Sequence, residues 1–310
     1  MAGGGEGKPA PGGSVARRWP GRARTLRRVI PLKDNVPTRA VPVVTLLLIA
    51  LNLLAFVWQL TLSDNRASTL ELARAGVSER DAFTIEHGAI PFRLTHPGSR
   101  CGTTAEDIVC GEGELTTVDG ADLVRVPDDL ESPAWWTTPF SSMFMHVDLV
   151  HVAINMLALL IFGRTLEASM GRIRFGLFYV SAGLLAIALE TLMSAGATGP
   201  IIGASGAVAG TLGAYAATYP RARIVVLVLV PLLATLLMVP AAIVVVAWFL
   251  LQLVPDVGRL ATPDNADGAL AYLAYAGTFA LGAGAARLLI RRPLPLDPQD
   301  RSASREPAHG

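Results

Sequence analysis

Two stretches of this sequence are incompatible with a water-soluble fold. Residues 40–63 run for 24 positions without a charge, and residues 224–255 run for 32. About 20 apolar residues are enough for a helix to cross the hydrocarbon core of a bilayer. Further apolar runs lie at 149–163, 175–193, 205–219 and 268–286. Charged residues make up 16% of the chain, against about 25% in an average soluble domain. Mean hydropathy is +0.46, too high for a disordered chain. These features describe a protein that lives in the lipid bilayer. A net charge of +1 gives no reason to expect a nucleic-acid partner.

The distribution of charge orients the chain. Residues 1–39 hold nine cations, from Lys8 to Arg39, and no apolar patch long enough to fold. They read as a flexible basic tail on the cytoplasmic side, touching anionic lipid heads. A basic segment before an apolar run also describes a signal peptide, but 24 uncharged residues exceed a signal core of about 7–15. Residues 64–139 carry six Arg and no Lys against fourteen acidic residues, which fits a loop outside the membrane. The remaining Arg clusters follow the second, fourth and sixth runs. With six spans every cluster falls on one side, whereas five or seven break the alternation. Within 224–255, Pro231 and Pro240 divide the run. Residues 224–238 are therefore expected as a membrane-embedded connector and 239–255 as the fifth span. The expected architecture is an all-α, six-transmembrane-helix bundle over 40–286, sited in the plasma membrane. Both the N- and C-termini are expected to be cytoplasmic, with 287–310 a disordered tail. Cys101 and Cys110 fall in the outside loop, where they either close a small disulfide loop or stay as two free thiols.

Two elements carry chemistry. Ser205 is flanked by Gly203 and Gly206 at the start of an apolar run. Glycines leave room for a substrate carbonyl, and a helix start offers free N–H groups, so an oxyanion site can form there. The competing reading is helix packing, because Gly206, Gly210, Gly213 and Ala217 form one small-residue face. His151 and Asn155 are spaced i, i+4 and share a helix face. They serve either as donors in a site or as hydrogen bonds between helices. Both elements begin spans at the outer side, so a serine and two donors can meet at one depth.

At this point the sequence resembles the rhomboid family of intramembrane serine proteases. The resemblance rests on Trp135-Trp136-Thr137-Thr138-Pro139-Phe140, Met143-Phe144-Met145-His146 and the His151/Asn155 pair. It continues through Phe162-Gly163-Arg164, Glu167, Gly171-Arg172 and Gly203-Ala204-Ser205-Gly206-Ala207. Tyr219-Pro220-Arg221-Ala222-Arg223 and Trp248-Phe249-Leu250-Leu251-Gln252 complete it. The resemblance implies a six-helix bundle acting on transmembrane proteins, with Ser205 as nucleophile and Gly203 shaping its turn. His151, Asn155 and the Ser205 N–H would hold the oxyanion. It implies no cofactor and no metal.

The family's general base is a histidine in the sixth span, and here that position holds Tyr275. Gly277 and Gly282 match the family's glycines, while Thr278 stands where another glycine is expected. The five histidines are His87, His96, His146, His151 and His309, so no realignment of the sixth span recovers the base. Imidazole titrates near 6.5 and phenol near 10, so a neutral tyrosine is a poor proton acceptor at pH 7. The chain is therefore expected to be either an impaired serine endopeptidase or a pseudoprotease that binds transmembrane client helices without cutting them.

Overall fold

The computed structural model describes residues 34–38, 40–62, 78–103, 108–111, 117–118, 121–122, 124–125, 133–230, 233–253, 266–290 and 293–296. The expected basic tail up to residue 33, and the cations within it, lie outside the described residues.

Helix α1 (Val43–Thr61) is the first element, followed by two short helices, α2 (Glu79–His87) and α3 (Pro91–Thr95). Strands β1 (Arg100–Thr103) and β2 (Ile108–Gly111) follow, then β3 (Thr117–Val118), β4 (Ala121–Asp122) and β5 (Val124–Arg125). A 3₁₀ turn at Trp135–Thr137 leads into α4 (Thr138–Ser142). Helix α5 (Leu149–Met170) is continuous but contains a π-helical turn at Leu159–Gly163. Next come α6 (Arg172–Met193), α7 (Ser205–Thr218), a hairpin of β6 (Arg223–Val230) and β7 (Leu233–Pro240), α8 (Ala241–Leu253) and α9 (Ala266–Leu289). Helices α1, α5 and α6 are each long and apolar enough to cross a membrane. The fold is mostly helical and contains no closed sheet among the described residues.

Segment 224–238 departs from expectation. It forms an antiparallel hairpin, with Arg223 opposite Pro240 and Val230 opposite Leu233. Its β-branched composition favours strand, and a continuous apolar run does not by itself distinguish strand from helix. The other β structure lies between α1 and α5. There β2, β1 and β5 form an antiparallel sheet, and Cys101 faces Cys110 across it in a disulfide.

Helix α7 is the centre of the bundle. Every residue from Ser205 to Tyr215 is buried. Its 14 residues span about 21 Å, less than the roughly 30 Å hydrocarbon core. It is sheltered on one side by α6, where Gly206 meets Ala186 and Gly210 meets Ala182, and on the other by α9. A Cβ on Gly213 would run into the Phe279 carbonyl, and one on Gly282 into the Gly210 carbonyl. The small-residue face is thus a packing device, as in other lipid-buried helix pairs. Thr278 is accommodated opposite Gly210, and its hydroxyl bonds back to the Ala274 carbonyl at 2.8 Å. Gly277 faces Leu189 of α6 rather than α7.

Two buried carboxylates pin the bundle. The first turn of α1 has no side-chain cap of its own. Glu167 on α5 supplies the acceptors, taking bonds from Val44 N (3.0 Å), Thr45 N (2.8 Å) and Thr45 Oγ1 (2.8 Å). Asp34 accepts from Thr165 Oγ1 (2.7 Å), Tyr215 OH (2.8 Å) and Arg164 Nη2 (3.3 Å). Asp34 and Val36 are buried, so the folded domain begins before the residue-40 boundary expected from sequence.

Glu167→Ala leaves buried N–H groups of α1 without acceptors. We expect it to cost about 2–4 kcal/mol of stability, read as a lowered unfolding midpoint in detergent, with Glu167→Gln recovering part of the loss.

Candidate active site

Tyr275 on α9 meets Ser205 at the first position of α7. Ser205 Oγ donates a hydrogen bond to Tyr275 OH at 2.9 Å. The same two helices also approach closely at Gly210, Gly213 and Gly282. The Tyr275 ring stands edge-on to Trp248 of α8, with centroids 6.5 Å apart, and Trp248 is itself buried.

The turn before Ser205 has a physical requirement for glycine. Gly203 has φ +121°, a region that L side chains rarely adopt. A Cβ there would also lie 2.9 Å from His151 Cε1, 3.1 Å from His151 Nε2 and 3.5 Å from Ser205 Oγ. Gly203 therefore keeps open the space between the imidazole and the hydroxyl. Gly206, the other flanking glycine, faces Ala186 and serves packing.

His151 and Asn155 project from the first turns of α5. Asp148 caps that helix by accepting the His151 N–H at 2.8 Å. Asn155 is fully buried, and neither amide atom has a protein hydrogen-bond partner among the described residues. Buried amides are normally paired, so one left open in a core marks a place where a ligand group can be bound. His146 lies in the connection ahead of α5, 2% exposed, with its ring edge-on to His151 at 5.1 Å. Burial, and secondarily the neighbouring His151 ring, pushes its pKa down to about 3. His146 is therefore neutral at pH 7.

The structure thus gathers Ser205, Tyr275, Gly203 and His151 into one notch. It joins Cys101 to Cys110 in a separate part of the molecule, between α1 and α5. Among the described residues, no group of three or more His, Cys, Asp or Glu is placed to hold a metal ion. Sequence reasoning missed Asp34, for which an acid within the cation-rich tail was the available signal.

These features define a helical membrane protein with a serine hydroxyl enclosed in a polar notch of its own bundle. Residues 133–292 match the family model described as Rhomboid domain, just over half of the chain. The chain belongs to the rhomboid family. RHOMBOID-like protein 4 of Arabidopsis thaliana is 33% identical over 105 residues, 32% of this chain and 26% of that protein. RHOMBOID-like protein 6, mitochondrial, also of Arabidopsis thaliana, is 36% identical over 67 residues, 20% and 22% respectively. Rhomboid-type serine protease 2 of Emericella nidulans is 32% identical over 89 residues, 28% and 18%. The chain spans about a quarter or less of the length of these relatives. No solved structure matches. The family match begins at the 3₁₀ turn before α4, so α1 and most of the loop after it lie outside it.

Two outcomes follow from this geometry. Gly213→Leu drives a side chain into the Phe279 backbone, parts α7 from α9 and breaks the Ser205–Tyr275 bond. The tyrosine ultraviolet resonance Raman signature of hydrogen bonding should change, beyond any shift in Tyr275→Phe. His146 is protonated in the unfolded chain below about 6.5, while the folded state resists protonation until about 3. Its contribution is intact above 6.5 and is lost as pH falls between these values. The thermal midpoint should drop from pH 7 to pH 4, and less steeply in His146→Gln.

Proposed function

We propose that the protein is a rhomboid-class intramembrane serine endopeptidase of low turnover, with Ser205 as nucleophile and Tyr275 in the place of the family's histidine. The observation that carries the reading is the 2.9 Å hydrogen bond from Ser205 Oγ to Tyr275 OH. In this reading the hydroxyl attacks the carbonyl of a peptide bond in a transmembrane substrate. The Ser205 N–H, the His151 ring and the Asn155 amide face the resulting oxyanion. The attacking proton must then leave, and the nearest acceptor is a phenol oxygen. A neutral phenol does not hold that proton, and phenolate is about one part in a thousand at pH 7 for a group titrating near 10. In a well-studied soluble serine protease, removing the histidine costs on the order of 10⁶ in turnover. The notch therefore binds and polarises a carbonyl far better than it cleaves the bond.

We further propose six spans, counting α1, α5, α6, α7, α8 and α9. The Arg clusters would lie on the cytoplasmic face with both termini, and the loop 64–139 on the opposite side. The membrane domain, which takes in buried Asp34 and Val36 and runs through the end of α9 at Leu289, would sit in the plasma membrane. Helix α7 is too short to reach both surfaces, so Ser205 would open into a recess below the outer one.

A second reading is favoured by the same bond. With its hydroxyl occupied by Tyr275 and its Asn155 amide open, the site suits holding a client helix without cutting it. Incubating a model transmembrane substrate with wild type, Ser205→Ala and Tyr275→His separates the two. We expect slow cleavage by wild type, none by Ser205→Ala, and a gain of at least about 10²-fold in Tyr275→His. No Ser205-dependent cleavage by wild type, with the substrate still bound, would leave the client-binding role in its place.

A further inference from the structure

The loop that delivers Ser205, residues 194–204, has little internal structure. Within it, Ala197 N donates to Ser194 O at 2.8 Å. Its shape is imposed from outside, by the elements between α1 and α5. Ile201 N donates to Ala89 O at 2.8 Å, and the two residues form an antiparallel β-bridge. Phe92 N donates to Ala197 O at 3.0 Å, and Thr95 Oγ1 to Ala195 O at 3.1 Å. The base of the loop is tied to α4, where Gly203 N donates to Ser142 O at 2.9 Å. Helix α4 is tied in turn to the end of α2, through Ser141 Oγ to His87 O at 2.6 Å.

The approach at this seam is close. A Cβ on Gly88 would stand 2.7 Å from Pro200 Cβ, 3.5 Å from Ile202 Cγ2 and 2.5 Å from the Thr84 carbonyl. Gly88 has φ −75° and ψ 150°, so it is glycine for want of space and not for backbone freedom. Behind the seam lies a small core of Ala82, Ile85 and Ile90, against which Phe92, Ile108 and both disulfide cysteines pack. Ile90 is fully buried and directly follows the bridging Ala89. A continuous path therefore runs from Cys101–Cys110 through Ile90 and Ala89 to Ile201, two residues before Gly203.

We propose that the domain of α2, α3 and β1–β2 positions the Ser205 turn, with Gly88 and Ala89 as positioning residues and the Cys101–Cys110 bond keeping their support rigid. The functional consequence rests on Ser205 being the reactive group, whereas the positioning itself does not. Opening the disulfide with a dithiol supplies two electrons and two protons. The S–S bond becomes two thiols and the reductant closes to its own disulfide. The small core then loses its cross-link, and the Ala89–Ile201 bridge loosens. The active-site turn would be less ordered in a reducing medium than in an oxidising one.

The test is hydrogen–deuterium exchange on the full chain in detergent micelles. Wild type is compared oxidised and dithiol-reduced, alongside Gly88→Ala and the double variant Cys101→Ser/Cys110→Ser. Loss of a single backbone bond should speed exchange at 199–204 roughly tenfold, while 206–218 keeps its protection. Unchanged exchange at 199–204 in all three altered forms overturns the proposal. So does a uniform rise across the chain, which would make the domain a general stabiliser. In a Tyr275→His background, loosening should lower kcat for a model transmembrane substrate with KM and the thermal midpoint little changed. If Tyr275→His itself neither cleaves nor reacts with a fluorophosphonate, the nucleophile reading fails, and the exchange data still decide the positioning.

Discussion

The structure depends on how closely two helix backbones approach inside a bilayer. Helix α7 is sealed between α6 and α9, and its glycines are what allow it to be. At Gly213 and Gly282 even a methyl group would meet a carbonyl of the opposing helix. In lipid there is little hydrophobic gain from helix association, so fit between backbones has to hold the pair. The same fit fixes the vertical register of α9 against α7. That register carries Tyr275 to Ser205 across 70 residues of sequence. Thr278 shows the tolerance of the crossing. It is 1% exposed, and its hydroxyl is spent on its own helix, leaving a methyl to fill the space opposite Gly210.

The lipid environment also explains where polar groups are found. Glu167 serves the first turn of α1, and Asp34 gathers Arg164, Thr165 and Tyr215, because an unpaired carboxylate inside the bundle would be prohibitive. The open amide of Asn155 departs from that rule, and it sits on the same helix face as His151, whose ring borders Ser205 across Gly203.

Much of this was legible in the sequence because its physics is local or periodic. The apolar runs marked α1, α6, α7 and α9 to within a few residues and the start of α5, which continues past the expected 163 to Met170, and the i, i+4 spacing placed His151 and Asn155 on one face. Gly203 was read as the residue shaping the turn, and its positive φ is a local property of the chain. The hairpin at 223–240 was not legible, because a run that is apolar at every position has no period to read. Asp34 was assigned to a basic tail because its partners lie on α5 and α7, 130 and 181 residues away. The seam between Ala89 and Ile201 was hidden for the same reason, since main-chain pairing between two loops leaves no side-chain pattern. The packing role of Gly206 was legible in its small-residue spacing, whereas its partner, Ala186 of α6, was not.

The proposed function turns on which group would receive the Ser205 proton. If that group is the Tyr275 phenol, reaction of Ser205 with a fluorophosphonate must follow the phenolate fraction. The rate constant for labelling should then climb about tenfold per pH unit from 7 to 9, with no plateau near neutrality. A plateau reached by about pH 7.5 in the unaltered protein would show an imidazole acting on Ser205, and would contradict the phenol as proton acceptor.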